Sequence, residues 1–416
     1  ADSEQTKRMA FMRVISFLAL LVALACVHTN AFKAPTPPQV VRSTSKLMMS
    51  TPAKPAEVSW LSPEFDMDDY KERARVIKRT VYDHEDWRRH RSSKRYLRNL
   101  STLADSEIFR SLRNQLLAVT GVATFIVTYN ALIGTGFDTD FGMHIGKLAV
   151  KPLPFSICTG SLSLLLAFRT NDAYSRWAEA RKIWGSTIQR CFDLVRSGLT
   201  YMEQGDMTDE EFANLKKELT LRTIAYARVQ KGHFRDGPEE AAILKAELAE
   251  LLGEEEAERI CSAAHKPCRV IQDLSELIRA ANLTDMKRQI LDNSVAAFCD
   301  TVGASERIFK TPVPLVYTRH TSRFMSLWLL LLPMALYREL GTVSEQLLTI
   351  PTSAIIAFFL LGIEELGIQL EEPFSILPLE AMCDGIERTC LEMMYNDLGE
   401  QGYFDDTELC SSKWCM

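Results

Sequence analysis

Charged side chains are absent from four stretches of this chain. Residues 114–137 carry none over 24 positions, residues 152–168 none over 17, residues 324–337 none over 14, and residues 346–363 none over 18. A helix rises about 1.5 Å per residue, so crossing the hydrocarbon core of a bilayer takes about 20 residues. The first run meets that length and the others approach it. Borderline runs suit a bundle whose helices are shielded by neighbours or border water. Basic residues bracket the runs: Arg110 and Arg113 before the first, Arg169, Arg176, Arg181 and Lys182 after the second, Arg319 and Arg323 before the third. The bias of lysine and arginine toward one side of a membrane puts these three ends on a shared face. The first two runs then form a hairpin closed by residues 138–151, and the fourth returns the chain to the starting face.

Residues 170–322 contain no spanning run and read as helices. Thr208-x-x-Glu211 is a capping box ahead of Phe212, Leu215 and Leu219. Pro238 opens another helix and Gly253 closes it, the usual asymmetry of helix ends. Met286, Ile290, Ala297 and Phe298 recur at helical spacing. No alternating apolar and polar run marks a strand. The predicted class is all-α, part membrane and part extramembrane.

The N-terminus reads as an address. Lys7, Arg8 and Arg13 precede an apolar run at 14–27, followed by small residues near Ala31. That is a signal peptide over 1–31, because its apolar core is too short to span comfortably. From Phe32 to Ala56 there are four basic residues, no acid, and many Ser, Thr and Pro. This is the composition of a plastid transit peptide over 32–56. Phe32 at the joint resembles the bipartite presequence of algae with secondary plastids. The mature chain is expected to begin near residues 48–58.

Composition adds exclusions. Mean hydropathy is −0.06, which conceals the clustering of apolar residues. Net charge is −6, which argues against a general nucleic-acid binder. Residues 70–98 hold 11 Lys/Arg against four acids, with Trp87 and Tyr96 interleaved. Directly before a membrane span, they read as an interfacial helix that meets anionic lipid or docks on the helical domain. The ten cysteines contain no CxxC pair. Cys261, His265 and Cys268 form C-x3-H-x2-C, but a zinc site needs a fourth ligand and none lies nearby in sequence. No metal or other cofactor is expected. Cys410 and Cys415 lie in a polar tail and could pair in an oxidising compartment. There is no HExxH, no phosphate-binding glycine loop and no nucleophile motif, so no catalytic residue is assigned and an enzyme is not expected.

Three stretches resemble the bestrophins, in particular their plant and algal chloroplast branch. The first is Tyr82-Asp83-His84, Trp87, His90-Arg91-Ser92 and Arg95-Tyr96, leading into the first span. The second is Pro154-Phe155, then Phe168-Arg169-Thr170-Asn171-Asp172-Ala173-Tyr174-Ser175-Arg176-Trp177 and Glu179-Ala180-Arg181-Lys182. The third is Pro314-Leu315-Val316-Tyr317-Thr318, Leu361-Gly362-Ile363-Glu364-Glu365 and Glu372-Pro373-Phe374.

The resemblance implies a homopentamer around one pore, with four membrane helices per subunit. It implies an apolar neck, carried over as Gly160, Leu164 and Phe168, and an aperture at Met286 or Ile290. Gly160 departs from the bulky apolar residue usual in relatives, which implies a neck wider at one end. Arg169, Arg176, Arg181 and Lys182 could concentrate anions, or could pair with acids such as Glu179. Animal members bind calcium in an acidic cluster after the fourth span. Here that region reads Glu371-Glu372-Pro373-Phe374-Ser375, without the run of aspartates. The expected function is a chloride channel of the thylakoid membrane, tuning the proton-motive force by passive conduction. The alternatives are a bicarbonate channel feeding carbon fixation and a non-conducting membrane scaffold. The expected organisation after the presequence is a basic interfacial region at 57–113 and a transmembrane hairpin with the neck at 114–182. A helical extramembrane domain follows at 183–322, then two further spans at 323–372 and a tail at 373–416.

Overall fold

The structure is a computed structural model that describes residues 71–399, except positions 73, 77, 104–105, 135–146 and 341–345. The presequence, most of the hairpin loop and the Cys410/Cys415 pair lie outside the described residues. Every named element is a helix. In chain order they are α1 (His84–Arg91), α2 (Arg95–Ser101), α3 (Glu107–Ser111), α4 (Arg113–Gly134) and α5 (Leu153–Tyr201). Then come α6 (Asp209–His233), α7 (Pro238–Leu252), α8 (Glu254–Cys261), α9 (Lys266–Ala280) and α10 (Asp285–Lys310). The last three are α11 (Leu315–Glu339), α12 (Thr349–Glu371) and α13 (Leu379–Leu398). Glu203 and Asn282 form an isolated bridge, with no strand among the described residues.

The chain divides into two units. One comprises Tyr96–Leu166 and Arg319–Glu365 with Lys71; the other comprises 72–95, 167–318 and 366 onward.

The first unit has two small apolar cores. Leu112, Leu116 and Val119 meet Leu162 and Leu166 of α5, Met325 and Leu329 of α11, and Ala357 and Leu361 of α12. Ile126, Val127 and Tyr337 form the second. Asn130 is buried near the C-terminal end of α4. Its amide donates to the Leu148 carbonyl at 3.0 Å and its oxygen accepts from the Leu148 N–H at 2.7 Å, satisfying both ends of a buried polar group. Outward, Leu117, Phe125 and Leu132 of α4, Leu327 and Leu331 of α11, and Ile355, Phe359 and Ile363 of α12 are exposed. A soluble monomer rarely leaves so many large apolar side chains in water.

By length and composition, three described helices can cross a membrane: α4, α5 and α12. The expected third span, residues 324–337, lies in α11. That helix is 25 residues long, but Arg319 and Arg323 at one end and Arg338 and Glu339 at the other shorten its apolar part.

The second unit has a protein-like core. α6 lies at its centre against α7, α9 and α13. Ile224, Tyr226, Val229, Leu274, Phe298, Met382 and Ile386 are among its fully enclosed side chains. The Thr208/Glu211 capping box forms, with reciprocal hydrogen bonds at 3.2 and 2.9 Å. Pro238 does stand at the first turn of α7, and Gly253 ends it with φ of 91°, a conformation that disfavours side chains. The basic arm is partly docked. Arg79 donates to the Ser375 carbonyl and to Glu380, each at 2.9 Å, and Lys78 donates to Gln369 at 2.6 Å. α1 and α2, by contrast, have no buried residue. Lys78 and Arg79 therefore anchor the arm, while Trp87 and Tyr96 are left exposed.

Candidate functional site

α5 is 49 residues long, so the second apolar run and the basic stretch after it belong to one helix. Gly160, Leu164 and Phe168 follow each other at i, i+4 and i+8 and share one face of it. Leu164 and Phe168 are each 55% exposed, and a Cβ placed on Gly160 would meet nothing within 4 Å. The opposite face holds the buried residues: Leu162 and Leu166, then Ala173, Ala180 and Trp184. α5 is thus buried along one side and exposed along the other.

The basic residues after Phe168 have separate fates. Arg169 is buried, 6% exposed. Arg176 is a staple. Its Nε donates to the Glu371 carbonyl at 2.9 Å, Nη1 to the Thr311 carbonyl at 2.7 Å and Nη2 to the Ile308 carbonyl at 2.7 Å. These carbonyls lie at the C-terminal ends of α10 and α12, where helices leave acceptors unpaired and favour a cation. Arg181 is half-buried beside Gly185 and Lys182 is exposed; with Trp177, Ser186 and Gln189 they line a shallow depression of about 490 Å³. Of the four, Arg181 and Lys182 remain open to solvent. Arg176→Ala is expected to lower stability by about 2 kcal/mol, since three charge-assisted hydrogen bonds to partly exposed carbonyls are lost. Arg176→Lys is expected to recover only part of it, because an ammonium cannot span the same three acceptors. Paired thermal melts of the two variants measure both effects.

Met286 and Ile290 lie one turn apart at the start of α10, 76% and 42% exposed. The apolar residues expected to share their helix, Ala297 and Phe298, are buried instead. α10 therefore begins as a free surface and continues into the core.

The acidic segment after α12 is engaged by the backbone. Glu371 accepts from the Val313 N–H at 3.1 Å, and Glu372 accepts from Phe374 and Ser375 N–H at 3.0 and 3.2 Å. Glu372 also faces Arg75 at 3.8 Å. Glu364 and Glu365 are buried, and Glu365 pairs with Lys71 at 3.1 Å. The sequence marked these carboxylates by position alone and held no sign of which backbone amides they would meet.

Sequence reasoning also missed one group entirely. His233 at the end of α6, His265 at the N-cap of α9 and Glu306 on α10 converge, with one potential ligand atom from each lying within 4.8 Å of the others. His265 was legible only within a cysteine motif. Cys261 and Cys268 are free thiols, the former half-buried and the latter exposed.

Known proteins with the same features place the chain. A family model described as bacterial/fungal bestrophin protein matches residues 86–392. The chain is 33% identical over 331 residues to voltage-dependent chloride channel 1, chloroplastic, of Arabidopsis thaliana, covering 79% of this chain and 77% of that protein. It is 30% identical over 240 residues to a voltage-dependent anion channel-forming protein of Nostoc, covering 55% of this chain and 72% of that one. A crystal structure of a bacterial bestrophin homolog from Klebsiella pneumoniae superposes with a TM-score of 0.55 at 26% identity, covering 67% of this chain and 97% of that chain. The resemblance carried by the three sequence stretches is borne out: this chain belongs to the bestrophin family.

Proposed function

We propose that the chain is one subunit of an anion-conducting channel of a plastid membrane, with five copies arranged around a pore lined by α5. The observation that carries this reading is the unpartnered face of α5 bearing Gly160, Leu164 and Phe168. Five copies turn such a face into stacked rings. An apolar ring can gate by dewetting, and the positive edge of a phenylalanine ring suits an anion better than a cation. Arg181 and Lys182 beyond it raise the local anion concentration. Met286 and Ile290 are the proposed aperture residues. Four spans per subunit follow if α11 crosses with its terminal arginines near the interfaces, where long cationic side chains extend to water. The relatives named as chloroplastic channels support a plastid address, as does the transit-like composition of residues 32–56. The thylakoid is the proposed membrane, where passive anion flow would shift the proton-motive force from voltage toward a pH gradient.

The decisive experiment is purified protein in planar bilayers, first under a chloride gradient and then under a bicarbonate gradient. Reversal potentials near the chloride equilibrium value support the reading. A stronger response to bicarbonate would make it a bicarbonate conduit, and absence of current would leave a scaffold. Native mass spectrometry is expected to return a pentamer; a monomer or dimer alone would remove the rings on which the mechanism rests.

A further inference from the structure

We propose that His233, His265 and Glu306 form a binding site for a divalent transition-metal cation, with zinc as its representative. Each residue comes from a different helix of the second unit, separated by 41 and 73 positions from Glu306. His233 Nε2 lies 2.8 Å and His265 Nε2 3.2 Å from the same oxygen, Glu306 Oε1. The two imidazole centroids are 5.0 Å apart, and the ligand atoms of all three residues lie within 4.8 Å of one another. Two imidazoles and a carboxylate are a donor set for zinc and its first-row neighbours; calcium and magnesium take oxygen ligands. Three protein ligands leave a fourth tetrahedral position for water.

The unloaded arrangement is held by groups that a cation displaces at small cost. A carboxylate only accepts, so both Nε2 atoms donate to Glu306. The Glu306 carboxylate meets both imidazoles and pairs with Lys310, so it lies where a cation shared with the two histidines would sit. His265 Nδ1 accepts from the Cys268 N–H at 3.2 Å, capping α9, which fixes the neutral tautomer with its proton on Nε2. To ligate, each imidazole must present an Nε2 free of its proton, and at His265 that proton passes to Nδ1. The cap hydrogen bond breaks, a minor loss beside coordination by three ligands. Lys310, which reaches Glu306 at 2.9 Å, is largely exposed and one helical turn away, so it swings into solvent. A bound cation would lock the end of α6 and the start of α9 to α10, the helix that carries Met286 and Ile290.

The site stands apart from the channel reading, and its test reads binding rather than conduction. Full-length protein, stripped with EDTA, is titrated with zinc chloride at neutral pH by calorimetry. One zinc per subunit is expected. His233→Ala and His265→Ala are each expected to weaken it at least tenfold, with circular dichroism confirming an intact helical fold. Lys310→Met is expected to tighten binding several-fold, because it removes a competing cation, and no folding defect produces that result. Cys268→Ser should bind as the parent does. The inference is overturned if the parent binds no zinc, if the His233/His265 double variant binds as well as the parent, or if Cys268→Ser alone abolishes binding, which would place the metal on thiols.

Discussion

Phe168→Ala is expected to raise single-channel conductance or open probability several-fold while leaving the folded subunit nearly as stable as before. Phe168 is the last apolar residue of its run, half exposed on α5 and directly before the buried Arg169. In a ring of five it is the narrowest apolar point of the proposed pore. An anion crossing it sheds part of its hydration, and an apolar wall returns little. Alanine widens and rewets the ring. A phenylalanine enclosed in a core would behave otherwise, since its truncation costs roughly 3–5 kcal/mol. Single-channel recording alongside a thermal melt separates the two. A stable oligomer with altered currents supports the neck; a sharply lowered melting temperature with unchanged currents would move the pore to another face of α5. Gly160→Leu is the complementary experiment. Nothing within the described subunit lies within 4 Å of the added Cβ, so leucine fits the single chain and helix propensity favours it. A fall in conductance is expected, because bulk is restored where this chain has none.

The largest stability effect is expected at Glu247. Lys231 Nζ lies 2.6 and 2.9 Å from its two oxygens, in a site where the lysine side chain is 2% and the glutamate 9% exposed. Arg228 approaches the same carboxylate at 3.4 Å and reaches Asp384 and Glu387 at 2.7 and 2.6 Å. Glu247→Ala strands a buried ammonium beside a carboxylate site that Arg228 also faces, at a cost of about 3–5 kcal/mol. For a unit of this size, each kcal/mol shifts the melting temperature by about 2–4 °C, so a fall of roughly 6–20 °C is expected. The double variant Lys231→Met/Glu247→Leu should recover most of it, because neither charge is then buried. A Glu247→Ala melt within 1–2 °C of the parent would show that water or Arg228 rearrangement compensates. Currents per open channel should not change, since this pair lies inside a helical core.

Local rules carried the helical architecture. Runs without charge located α4, the start of α5 and α12, because covering a polar backbone in a membrane demands uninterrupted apolar length. Thr208 with Glu211, and Pro238 with Gly253, marked helix ends because caps satisfy orphan amides within a few residues. The i, i+4, i+8 spacing of Gly160, Leu164 and Phe168 puts them on one face of any helix that contains them. The family was legible in three motif stretches.

What only the tertiary structure decided depends on partners far away in the chain. The sequence marked Arg169, Arg176 and Arg181 equally as basic residues behind a span. Folding buries the first, spends the second on carbonyls more than 130 positions away and leaves the third at a surface depression. Charge is a property of a residue, but availability of charge is a property of its neighbours. α11 shows the same limit, since a charge-free stretch of 14 residues said little about a helix that continues to 25. The basic arm offered lipid or protein as partners, and Lys78 and Arg79 take protein. The convergence of His233, His265 and Glu306 was invisible because sequence spacing brings ligands together only within a few turns. Ligands held on three separate helices meet only when packing of the apolar faces of α6, α9 and α10 places their ends side by side.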